Sequence, residues 1–82
     1  MREEELAKKY LQELNNLKLV KSYGPYQISV PLKSSEFEHV DLDSLQNKLK
    51  SMGMYVTIQS QPNKNIFKAN ERRLIVSLTP FE

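Results

Sequence analysis

Cysteine and tryptophan are absent from this 82-residue sequence, and glycine occurs only twice. Small secreted domains commonly depend on disulfides, so a chain without cysteine reads as intracellular, or as indifferent to redox state. No apolar run approaches the roughly 20 residues needed to cross a bilayer. The opening Met1-Arg2-Glu3-Glu4-Glu5 lacks the basic start and apolar stretch of a signal peptide. The expectation is a cytoplasmic chain with no membrane partner, and Met1 together with a strand-like ending reads as a complete gene product. The scarcity of glycine also matters. Gly24 and Gly53 both fall at expected turns, leaving no glycine-rich loop to cradle a phosphate. There is no G-x-S-x-G elbow and no thiol nucleophile, and His39 is the only histidine. A lone imidazole needs an orienting partner and a pocket to act as a base. These absences point away from an enzyme and from any cofactor.

What is present suffices for one small domain. Hydrophobic residues make up 39% of the chain and charged residues 27%, which supports a core and argues against disorder. At this length the chain forms one domain, residues 1–82, of modest stability. The net charge is +2 and is unevenly placed. Residues 1–50 carry eight basic and eight acidic side chains, whereas residues 51–82 carry four basic (Lys64, Lys68, Arg72, Arg73) against two acidic (Glu71, Glu82).

Periodicity gives the elements. Leu6, Ala7, Tyr10, Leu11, Leu14 and Leu17 recur at three- and four-residue steps, predicting a helix from about Arg2 to Lys18. Glu3, Glu4 and Glu5 suit its positive end and Lys18 its negative end, while Asn15 and Asn16 predict a frayed last turn. At roughly 25 Å the helix is long for a three-stranded sheet, so an end near Leu6 and Tyr10 could overhang and meet another subunit, although packing within the chain is the commoner outcome. Ser22-Tyr23-Gly24-Pro25 reads as a turn. Tyr26, Ile28, Val30 and Leu32 then alternate with polar residues as a strand with one buried face, and Pro31 marks its end or an edge. A second helix opens at Asp41 or Asp43, where Asp43-x-x-Gln46 fits a capping box and Val40 a hydrophobic staple. It carries Leu42, Leu45, Leu49 and Met52, and Gly53 is placed to terminate it in the left-handed conformation. Met54, Val56 and Ile58 predict a strand, as do Leu74, Val76 and Leu78 in a final strand from Arg72 to Thr79. A short strand at Ile66-Phe67 is a further expectation.

The order α-β-α-β-β predicts an α/β (α+β) two-layer sandwich. Its sheet would be three-stranded and mixed: the strand–helix–strand unit gives a parallel crossover, and the last two strands an antiparallel hairpin. Both helices would cover one face. The other face would then carry Tyr55, Thr57, Arg73 and Ile75, a set suited to a protein partner because tyrosine supplies contact area at low entropy cost, unless the C-terminal Pro80-Phe81 folds back over it. Tyr10 and Tyr26 are expected in the core, and Tyr23 and Tyr55 outside it.

Two other groups compete for a function. Lys64, Phe67, Lys68, Arg72 and Arg73 form a basic hairpin with an aromatic, the composition of a single-strand or RNA groove binder. The same residues would equally keep an exposed hairpin soluble. Glu36, Glu38, His39, Asp41 and Asp43 are the densest set of metal-ligand types, but acidic residues before a helix also cap it, and their spacing matches no common metal motif, so no metal is expected.

The run Leu45, Leu49, Met52-Gly53-Met54-Tyr55-Val56-Thr57-Ile58, followed by Leu74-Ile75-Val76-Ser77-Leu78, resembles the helix–glycine–strand and terminal strand of small uncharacterised proteins from bacteriophages and low-GC bacteria. The likeness covers the C-terminal half. It implies a host cytoplasm and an accessory factor acting by binding, and it assigns no functional residue. The function expected is therefore docking on a larger protein or self-association, with nucleic-acid binding through the basic hairpin as the alternative.

Overall fold

The structure, a computed structural model, describes residues 2–61 and 71–81. The chain runs through helix α1 (Arg2–Val20), strand β1 (Gln27–Pro31), a single 3-10 turn (Ser35–Phe37), helix α2 (Leu42–Ser51), and strands β2 (Tyr55–Gln61) and β3 (Glu71–Ser77). The α+β class and the two amphipathic helices follow the periodicity. The last turn of α1 does not fray at Asn15 and Asn16; the helix continues to Val20, and Lys21 N donates to the Leu17 carbonyl at 2.9 Å.

The sheet is not mixed. Its strand order is β1-β3-β2, and β3 is antiparallel to both neighbours. β1 and β2 do point the same way, as a strand–helix–strand unit requires, but β3 lies between them. The reason is compositional: Leu74-Ile75-Val76 is the most continuously apolar stretch among the described strands, and the central position is the one flanked by a ladder on each side. Ile28↔Val76 and Val56↔Val76 face each other across the two ladders, as do Val30↔Leu74 and Ile58↔Leu74.

These residues meet the helical stripes on one side. Leu6, Ala7, Tyr10 and Leu14 of α1, Leu45 and Leu49 of α2, and Phe37, Met54, Leu74 and Val76 form one buried cluster. Ile28, Val30, Val56 and Ile58 pack on its margin.

The ends of α2 show how local chemistry fixes this packing. Asp41, not Asp43, is the cap: its Oδ1 accepts from Asp43 N at 3.0 Å and Ser44 N at 3.4 Å. Val40 and Leu45, flanking that cap, both pack into the core as a staple does. Gln46 does not reach back as a capping-box residue; its amide donates to the Leu42 carbonyl at 3.3 Å. At the other end Gly53 has φ +89, Met54 N donates to Leu49 O, and Gly53 N donates to Lys50 O, each at 3.1 Å. That pair of bonds closes the helix in a Schellman motif, with Leu49 and Met54 in the buried cluster as its apolar contact.

Candidate functional site

The two ends of α1 meet different surroundings. At the N-terminal end, Arg2 Nε donates to the Glu36 carbonyl at 3.3 Å and Lys9 Nζ reaches Glu36 Oε1 at 3.1 Å. Tyr10 is buried in the core and its hydroxyl donates to the same Glu36 oxygen at 3.2 Å. Burial, and then the neighbouring Glu36 carboxylate, hold the Tyr10 hydroxyl well above the ordinary tyrosine pKa. Glu4 pairs with Lys48 of α2 at 3.8 Å. Leu6 is also buried. Of the two outcomes open to this end, the commoner holds: Leu6 and Tyr10 pack within the chain, in one cluster with Phe37, and do not overhang.

The overhang is at the C-terminal end. Leu19 and Val20 are 84% and 80% exposed, and Tyr23, in the turn that follows, is 78% exposed. Five residues past Leu14, Leu19 has turned away from the core stripe, and α1 has run beyond the sheet it covers. The turn is held by Lys21, whose Nζ donates to the Pro25 carbonyl at 3.0 Å and lies 6.0 Å from the Tyr26 ring centre. Tyr26 Oη in turn donates to the Lys21 carbonyl at 3.4 Å. Tyr26 packs on the core, leaving Tyr23 directed outward. From Leu14 to Ser35 the sequence contains no acidic residue, and Lys18, Lys21 and Lys33 are its only charges.

The sheet face opposite the helices is less open than expected. Ile75 is only 7% exposed and Ser77 is fully buried. Ile75 sits on the central strand between Ser29 and Thr57. Ser77 Oγ donates to the Thr79 carbonyl at 2.8 Å and accepts from Thr79 N at 3.0 Å, turning the tail back after β3. Arg73 Nε donates to Ser29 Oγ at 2.6 Å and Nη2 to the Ser29 carbonyl at 3.2 Å, which ties its guanidinium along β1. Of the set Tyr55, Thr57, Arg73 and Ile75, the structure keeps Tyr55 exposed (44%) and Thr57 and Arg73 partly so. Ile75 offers no contact area. It lies on the central strand, and alternation alone cannot distinguish a central strand from an edge.

Of the basic hairpin, Arg72 is exposed and Arg73 is the Ser29 partner. Lys64, Phe67 and Lys68 lie outside the described residues, as does the expected strand at Ile66-Phe67. The acidic group is dispersed by its structural roles: Asp41 caps α2, Glu36 accepts from Lys9 and Tyr10, and His39 is an exposed turn residue with φ 60. Among the described residues no three histidine, aspartate or glutamate side chains converge as a metal centre. No described helix is long and apolar enough to cross a membrane.

Sequence reasoning missed Leu19 and Val20. The signal was available: they fall off the Leu6–Leu17 stripe, so a helix extended through them has to present Leu19 to solvent. No family model, curated protein or solved structure matches the chain.

Proposed function

We propose that the chain is a protein-binding accessory factor that acts by docking on a larger protein or on itself, without catalysis, in a cytoplasm. The observation that carries this reading is the apolar tip of Leu19, Val20 and Tyr23. Isolated apolar residues on a surface are ordinary, but two adjacent aliphatics at the end of α1 and an aromatic in the turn that follows, all three mostly exposed, are what partners cover. Tyr55, Thr57 and Arg73 supply a second, more polar area of contact.

Affinity capture with the full chain tests the reading when run beside a Leu19→Ser, Tyr23→Ser double variant. A partner held by the native chain and lost by the variant, with the helical circular dichroism unchanged, is the expected result. Recovery of no protein by the native chain, or equal recovery by both, would remove it.

A further inference from the structure

The sheet has two edges, and they are defended differently. β1 is five residues long, ends in Pro31, and has the Arg73 guanidinium on its Ser29 carbonyl. Proline and charge at an edge discourage a further strand. β2 is seven residues long, reading Tyr-Val-Thr-Ile-Gln-Ser-Gln, with no charge, no proline and no glycine. Among the described residues its only ladder partner is β3. Val56 and Ile58 pack on the margin of the core without being buried in it. A regular, uncharged edge of this kind is a template for strand addition.

The neighbouring helix indicates which strand would be added. α1 sits on the β1 side and α2 on the β2 side, and Lys48 points from α2 toward Glu4 of α1. Helical spacing then places Asp43, Gln46 and Lys50 on the side of α2 away from α1, above the free edge. Lys50 also lines a cleft of about 400 Å³ with Gly53, Met54, Tyr55, Val56 and Phe81, at the start of β2. Asp43 and Lys50 are two helical turns apart on one face and carry opposite charges.

We infer that β2 and the outer side of α2 form a two-fold interface with a second copy of this chain. A two-fold axis perpendicular to the sheet at Ile58 pairs β2 antiparallel with its copy. It sets Ile58 opposite Ile58, Thr57 opposite Gln59 and Val56 opposite Ser60, with no charge facing a like charge. The same axis reverses α2 against its copy, so that Asp43 of each chain meets Lys50 of the other. One axis serves both elements. From the cleft that Lys50 and Val56 both line, the middle of α2 lies about 5 Å along the helix and Ile58 about 7 Å along the strand. The product is a six-stranded antiparallel sheet carrying all four helices on one face. It deepens the docking reading by naming a partner, and it uses a different surface from the α1 tip.

Sedimentation equilibrium of the full chain, with Lys50→Asp and the exchanged pair Lys50→Asp, Asp43→Lys, decides the matter. The native chain is expected to dimerise with rising concentration. Lys50→Asp, which sets two carboxylates against each other at both ends of the seam, should weaken the dimer by roughly tenfold, and the exchange should restore it. A native chain still monomeric at about 1 mM, a dimer indifferent to Lys50→Asp, or an exchange that restores nothing would each overturn the interface. Any of these leaves the α1 tip to be judged by its own variants.

Discussion

The two ends of α1 are built on opposite principles. The first end is pinned: Arg2, Lys9 and Tyr10 converge on Glu36, Glu4 reaches Lys48, and Leu6 is buried beneath them. The last end is bare, with Leu19 and Val20 in water beyond the edge of the sheet. One helix thus spends its first four turns on folding and its last on display. Recognition in a domain this small need not occupy a cleft, because a projecting helix end costs the core nothing.

The sharpest way to break this comparison is to remove the same kind of residue from each side of it. Leu14 is fully buried between the helices and the sheet. Leu14→Ala should cost about 2–5 kcal/mol through lost transfer energy and the cavity left behind. Leu19→Ala, the same chemical change five residues on, should stay within about 0.5 kcal/mol. Urea unfolding of the two variants checks both numbers; equal losses would mean the end of α1 is packed.

Next in size is the Tyr10 hydroxyl. Tyr10→Phe should cost about 1–2 kcal/mol, because the bond is to a carboxylate and Glu36 loses a donor. The variant also has a pH signature. The folded state holds the Tyr10 proton to a higher pH than the unfolded chain does. Its contribution is therefore complete below the ordinary tyrosine value near 10 and is lost progressively above it, as pH rises toward the raised folded value. Native stability should fall more steeply than that of Tyr10→Phe in alkali, as read by denaturant midpoints across that range. By contrast, Lys48→Ala should change stability by less than about 1 kcal/mol, since both partners of the Glu4 pair are well exposed.

Much of this was legible before any coordinates. Leu6, Tyr10 and Leu14 were assigned to the core by spacing, Gly53 to a left-handed helix terminus by its place after Met52, and Tyr23 to the outside by the turn around it. Other features depend on tertiary arrangement, which a linear pattern does not encode. Ile75 and Thr57 alternate alike, yet Ile75 on the central strand is buried and Thr57 on the neighbouring strand is only partly so. Asp41 and Asp43 are both cap residues by type, and in the fold Asp41 caps α2 while Val40 before it packs on the core. The bare end of α1 is not legible either, because length allows an overhang without saying at which end the 3-10 turn and Phe37 pack.

The smallest expected change in stability is the most informative for function. Leu19→Ser with Tyr23→Ser removes two apolar surfaces that the folded chain leaves in water, so burial on folding scarcely changes. The unfolding midpoint should shift by no more than about 0.5 kcal/mol, and a slight gain in solubility should accompany it. Any loss of binding in that variant then belongs to the surface and not to the fold, a separation that Leu14→Ala cannot provide. If the double variant instead unfolds as readily as Leu14→Ala, the tip is part of the structural core and the division of α1 into a pinned end and a displayed end fails.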